Sequence, residues 1–281
     1  MKRVYLVPNI ITAFSLACGL FVIFKINMLE PGSGDYEVVQ TSVFLLLVAA
    51  LADFVDGALA RAIHAESEFG VVFDSLADAI SFGVAPSVLM LKSLSLEQGT
   101  FFSFFSATGA MVFSLCGVLR LVRFSVKTKE AKGNAELQAV QKQHFTGLPI
   151  PAAAIAAISA NLLSLAPIVR EWIDLSKADR AIALTCLMIF LGYLMVCRLK
   201  FPSLKMLHFK IPSFHLAFLM VVIAVFVLYG ILYFFALILA IAAWAYVAVS
   251  LCLSFIRMIM GKKSKTLEEF EPEPDEDFEE H

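Results

Sequence analysis

Charge is scarce in this sequence. Only 16% of its 281 residues are Asp, Glu, Lys or Arg, where soluble domains carry about 25%. Apolar residues reach 60% against about 45–50% in soluble chains. These proportions exclude an ordinary soluble domain and indicate a polytopic integral membrane protein. Cysteine is sparse too. Cys18, Cys116, Cys186, Cys197 and Cys252 lie in or beside apolar segments with no CxxC pair, which argues against a disulfide framework or a zinc site. His144, His208, His215 and His281 show no ligand spacing, and His64 reads as a loop residue. Around Lys127–Lys142 the basic residues lack interleaved aromatics. No nucleic-acid partner is expected; that stretch and GKKSK (261–265) suit anionic lipid head groups. The N-terminal run also lacks an uninterrupted apolar core. Pro8, Asn9 and Thr12 break it, and Ser15 stands where a lipoprotein site before Cys18 would want an aliphatic residue. It is expected to remain as a first transmembrane helix.

What the chain has in abundance is apolar run. Runs near residues 8–28, 39–63, 71–95, 101–124, 149–168, 181–197, 213–230 and 232–256 approach the roughly 20 residues that span a bilayer core. Lipid offers no partner for backbone amides, so such runs form helices. The expected fold is an all-α polytopic bundle of about eight transmembrane helices. With an even count both termini share one side. Seventeen of the 22 Lys and Arg residues then fall on that side, which predicts cytoplasmic termini. The final stretch, TLEEFEPEPDEDFEEH, holds nine of the 24 acidic residues and reads as a disordered tail. No internal repeat and no second soluble domain is evident.

Against this background the stretch ADFVDGALARAIHAESEFGVVFDSLADAI (52–80) is anomalous. Asp53 and Asp56 are three apart, and Asp74 and Asp78 four apart, so each pair shares a helix face. Asp53, Asp56, Gly57 and Ala60 fall within an arc of about 100°, as do Gly70, Asp74, Asp78, Ser81 and Ala85. Each acidic face is thus also a small-residue face. The short HAESE turn makes the two helices antiparallel neighbours and brings the acids together. An ionised carboxylate at the bilayer centre costs about 2.5–3.5 kcal/mol, and four would repel one another. A positive species is required. Hard carboxylate oxygens suit Mg²⁺ or Mn²⁺, with substrate phosphates as further ligands. From charge alone, a cation or proton path is an equal reading.

Order and spacing separate these readings. Written out, D-x2-D-G-x2-A-R-x8-G-x3-D-x3-D runs from Asp53 through Gly57, Ala60, Arg61 and Gly70 to Asp78. This resembles the full signature of the CDP-alcohol phosphatidyltransferase family. The resemblance implies a six-helix catalytic core over 1–200; the apolar runs leave two further helices over 201–260, and composition makes 261–281 the acidic cytoplasmic tail. It implies two divalent cations on Asp53, Asp56, Asp74 and Asp78, with Asp78 also the catalytic general base. It implies that Asn9, Thr12, Gly57, Ala60, Arg61 and Gly70 contact CDP-diacylglycerol, although Asn9 beside Pro8 could equally cap helix one. A homodimer in a bacterial inner membrane, with its active site facing the cytoplasm, is implied as well. Helices five to eight carry almost no intramembrane charge, which counts against a transporter.

Flanking stretches narrow the acceptor. VPNIITAFSLACG (7–19), DSLADAISFGVAPS (74–87), RLVRF (120–124) and FTGLPIPAAA (145–154) resemble the branch that uses L-serine; Val122 and Ser125 depart from its usual R-L-A-R-F-N. Arg120 and Arg123 could pair with a serine carboxylate, yet glycerol 3-phosphate or an inositol phosphate would need cations too. Gly147, Leu148, Pro149 and Pro151 read as the turn that opens helix five. Gly83 and Pro86 could kink helix three.

Overall fold

The computed structural model describes residues 6–28, 36–62, 67–131, 144–172, 176–197, 200–202 and 233–260. The expected span at 213–230, the tail at 261–281 and His64 lie outside the described residues. Nine α-helices and two short strands are present among the described residues: α1 (Leu6–Asn27), α2 (Tyr36–Ala62), α3 (Glu68–Asp78), α4 (Ala85–Leu94), α5 (Phe101–Ala131), β1 (His144–Thr146), α6 (Ile150–Leu165), α7 (Pro167–Trp172), α8 (Lys177–Val196), β2 (Lys200–Pro202) and α9 (Phe235–Met260). A π-helical segment, Ala79–Val84, joins α3 to α4. Six helical stretches are long and apolar enough to cross a membrane, and Ile150–Leu165 is a shorter apolar helix. The chain is an all-α, multi-pass membrane bundle.

The π segment has a local cause. Pro86 opens α4 and has no N–H to donate back to the preceding turn. The Ala85 amide reaches five residues back, to Ile80 O. The Gly83 carbonyl is taken by side chains, accepting from Ser87 Oγ at 2.9 Å and Ser114 Oγ at 3.0 Å. The sequence raised a disturbance here through Gly83 and Pro86; the structure forms a widened turn at that place, immediately after Asp78.

Helix α1 packs along α2 and against α3, the π segment and α4. Its approach to the π segment is backbone-close. A Cβ placed on Gly19 would fall 2.5 Å from Ser81 Oγ and 2.8 Å from Ser81 Cα. Ser81 Oγ in turn donates to Ser15 O at 3.3 Å, and Ser15 Oγ to Ala49 O at 3.0 Å. Hydroxyl-to-carbonyl bonds between small residues hold helices where lipid provides no hydrophobic drive.

Two apolar clusters run through the interior. One gathers Phe82, Phe113, Leu148, Ile150 and Met188; the other gathers Val22, Val43, Leu89, Ile158 and Leu162. Helix α9 touches both, through Val247 in the first and Ala236 in the second. Outward-facing Phe14, Phe21, Phe24, Phe104 and Met111 remain more than half exposed, as expected of side chains solvated by lipid.

β1 and β2 form an antiparallel pair with Phe145 opposite Phe201. Gly147 follows with φ +77°, and a Cβ there would meet Met195 O and Cys197 O. Only glycine fits this turn. Pro149 then caps α6, in keeping with the expected opening turn.

Candidate active site

Asp53 and Asp56 project from α2 and Asp74 from α3, each offering a carboxylate oxygen within 4.8 Å of the other two. Asp56 is 3% exposed; Asp53 and Asp74 are half-buried. Two unit charges 4 Å apart repel by about 4 kcal/mol at an effective dielectric constant of 20. Three ionised carboxylates this close therefore call for a cation. The donor set, all carboxylate oxygen with no sulfur or imidazole, fits a hard divalent ion.

Asp78, one turn beyond Asp74, is set apart from that trio. Its carboxyl hydrogen-bonds Asp53 and lies in the electrostatic fields of Asp74 and Arg120. The four acids picked out by spacing thus meet at one place, as three clustered oxygens with a fourth carboxyl linked to them through Asp53. The meeting follows from helical phase: i, i+3 on one helix faces i, i+4 on its antiparallel neighbour.

Thr12 enters this cluster directly. Its Oγ1 donates to Asp56 Oδ2 at 2.6 Å, with Pro8 O 3.1 Å away. The resemblance implies that Thr12 lines the nucleotide pocket; the structure places its hydroxyl on a carboxylate of the cluster. Asn9 sits one turn earlier on α1. A Cβ on Gly70 would lie 3.1 Å from Asn9 Oδ1 and 3.0 Å from Ser67 Oγ, and Ser67 Oγ already accepts the Gly70 amide at 3.0 Å. The start of α3 therefore meets α1 across a glycine, where a side chain would press on Asn9 and Ser67. Gly57 is half-buried on α2 beside Asp56. Ala60 and Arg61 belong to the last turn of α2, and their side chains lie outside the described ones.

The two arginines of α5 part company. Arg120 is 8% exposed, and its Nε is buried with no hydrogen-bond partner among the described residues. Asp78, Asp53 and Tyr246 act on it electrostatically. Arg123 instead turns to the end of α8, where Nη1 donates to Val196 O at 2.8 Å and Nη2 makes a longer contact with Met195 O at 3.5 Å. Carbonyls in a last helical turn lack intrahelical donors and carry partial negative charge. Arg123 meets that need. Tyr246 went unnoticed in the sequence, since it lies over 120 residues from Arg120 in a segment with no signature.

A membrane bundle that gathers carboxylates within reach of a buried arginine has the makings of a lipid-processing enzyme. The chain belongs to the CDP-alcohol phosphatidyltransferase family, which matches residues 5–196. Enzymes of this family are metal-dependent in general. Among curated proteins the chain is 30% identical over 214 residues to the CDP-diacylglycerol–serine O-phosphatidyltransferase of Helicobacter pylori, covering 76% of this chain and 79% of that one. It is 30% identical over 199 residues to the Bacillus subtilis protein of the same name, covering 71% and 91%. To the archaetidylserine synthase of Methanothermobacter thermautotrophicus it is 35% identical over 176 residues, covering 58% and 65%.

Proposed function

We propose that this enzyme transfers the phosphatidyl group of CDP-diacylglycerol to the hydroxyl of L-serine, giving phosphatidylserine and CMP. The observation that carries the reading is the convergence of Asp53, Asp56 and Asp74, with Asp78 bonded to Asp53. The names of the relatives support serine as the acceptor. Asp53, Asp56, Asp74 and Asp78 would hold two divalent cations, Mg²⁺ or Mn²⁺, which supply neutralising charge to the pyrophosphate and to the departing oxygen.

Asp78 accepts the serine hydroxyl proton as that oxygen attacks the phosphorus bonded to diacylglycerol. A new phosphorus–oxygen bond to serine forms. The bond to the CMP oxygen breaks, and CMP leaves with the electron pair. The proton on Asp78 then passes to water. Thr12 fixes Asp56 through its hydroxyl. Asn9, Gly57, Ala60 and Gly70 line the nucleotide end, the glycines allowing backbone approach, and Arg61 meets a phosphate. Arg120 pairs with the serine carboxylate, while Arg123 anchors the same helix to α8. Asp53 lies about 12 Å along α2 from Arg61, a depth that acyl chains in lipid and serine in water can both reach.

The lysine and arginine asymmetry favours termini and active site on the cytoplasmic side of a bacterial inner membrane. Residues 1–200 carry the chemistry, 201–260 add two helices, 261–281 form the acidic tail, and the family resemblance suggests a homodimer.

The test is CMP release by detergent-purified protein with CDP-diacylglycerol and Mg²⁺ or Mn²⁺. Serine, glycerol 3-phosphate, inositol and inositol phosphate are added singly, with a chelator control. Chelator-sensitive release with serine alone is expected. Release with a different alcohol would overturn the acceptor and keep the chemistry. No release from folded protein would overturn both.

A further inference from the structure

Asp78 closes α3, and the π segment Ala79–Val84 begins at the next residue. The direction in which Asp78 points is therefore set by whatever holds those six residues. Two other helices hold them. From α1, Gly19 comes so close that an added Cβ would fall 2.5 Å from Ser81 Oγ, which itself donates to Ser15 O at 3.3 Å. From α5, Ser114 Oγ donates to Gly83 O at 3.0 Å. Between these two contacts Phe82 is fully buried.

The α5 contact belongs to a small network of hydroxyls. Ser87 Oγ lies 2.9 Å from Gly83 O, 3.1 Å from Ala110 O and 2.9 Å from Ser114 Oγ. Ser114 Oγ lies 3.0 Å from Gly83 O and 3.1 Å from Ala110 O. Two hydroxyls thus face two carbonyls, and each hydroxyl has one proton to give. Side chains serve both carbonyls only while both serines are present. Without Ser114, Ser87 would have a single proton for Gly83 O and Ala110 O together. The turn needs this support, because Pro86 at the start of α4 brings no amide. Ser114 also stands six residues, about 9 Å, before Arg120 on the same helix. The helix that carries Asp78 and the helix that carries Arg120 are bonded to each other here.

We propose that Ser114 is a positioning residue for Asp78: through Gly83 O its hydroxyl holds the π turn that aims this side chain at the acid cluster. Ser114 touches no reacting atom and acts only through that turn. The proposal rests on the reading of Asp78 as general base and adds to it the group that fixes its place.

CMP release by wild type and by Asp78→Asn is measured first, with the acceptor that supports turnover. If Asp78→Asn turns over at a near-normal rate, the reading of Asp78 falls and this proposal with it. If it does not, Ser114→Val and Ser114→Thr are compared, since they share a shape and differ in the hydroxyl. Ser114→Val is expected to lower kcat between about ten- and a hundredfold, the scale for a group displaced by up to 1 Å. Its KM for CDP-diacylglycerol should stay within twofold. Ser114→Thr should bring kcat back to within about threefold of wild type. Should Ser114→Val not fold, Ser114→Ala takes its place in the comparison. Equal kcat in the two variants, both high or both low, would overturn the proposal and leave Asp78 as the base. A lower kcat accompanied by a higher KM for CDP-diacylglycerol and a lower melting temperature would overturn it too, as the mark of a loosened bundle.

Discussion

Arg120 and Arg180 both sit inside this bundle, toward opposite ends, and each has an Nε buried with no partner among the described residues. Their remaining surroundings differ. Arg180 Nη2 donates to Ser93 O at 2.8 Å and to Ser93 Oγ at 3.2 Å, and Ser93 Oγ donates to Asn161 Oδ1 at 2.7 Å. That network ties α8 to α4 and α6 through neutral acceptors. The cavity beside it, about 250 Å³, is bordered by Lys92, Ser93 and Ser106, with no carboxylate in its described lining. Arg120 faces Asp78, Asp53 and Tyr246 through their fields. One arginine is tied to neutral acceptors of the fold; the other lies in the fields of two carboxylates of the cluster. The lesson is that burial of a cation does not mark a site, and that the groups around it tell the two arginines apart.

The largest expected effect tests the acidic end alone. Asp78→Asn should lower CMP release between about 100- and 10,000-fold, the range for loss of a general base, with an unchanged melting temperature. Near-normal turnover would remove Asp78 from that role. The contrast between the arginines comes next. Arg120→Lys keeps the charge and loses the planar fork, and should raise the serine KM at least about tenfold without lowering the melting temperature. Arg180→Lys should do the reverse, lowering the melting temperature by about 2–5 °C while KM stays put. Like effects from the two variants would erase the distinction. The smallest effect concerns Thr12. Thr12→Val removes the 2.6 Å bond to Asp56 and should raise the Mg²⁺ or Mn²⁺ concentration for half-maximal activity about tenfold, as loss of a ligand-orienting partner does. A selective rise in the CDP-diacylglycerol KM would instead return Thr12 to the nucleotide.

The sequence made parts of this legible because they are local. Spanning length and the face shared by Asp53 and Asp56 depend on residues within a few turns, so composition and helical phase suffice to read them. The convergence with Asp74 and Asp78 was also readable, because a short turn leaves two helices no choice but adjacency. What escaped depends on distant partners. Thr12 and Asp56 are 44 residues apart, Arg123 and Val196 are 73 apart, and neither contact leaves a periodic trace. Arg120 and Arg123 look equivalent on a helical wheel, and only the end of α8 distinguishes their surroundings. The π segment was half visible. Pro86 and Gly83 marked a disturbance, but its form depends on Ser114 of α5 reaching the Gly83 carbonyl.

That wide turn between Asp78 and Ala85 has a mechanical meaning. A single extra residue in a helical turn offsets everything beyond it by roughly 100°. The first half of this span can then present Asp74 and Asp78 to one set of neighbours, while the second half turns Ser87 to α5, where it bonds Ala110 O at 3.1 Å. It works like a crank in a shaft, letting one rod answer to two bearings set at different angles. Removing one residue here would leave length and hydropathy almost unaltered, and would throw the chemistry and its footing out of alignment.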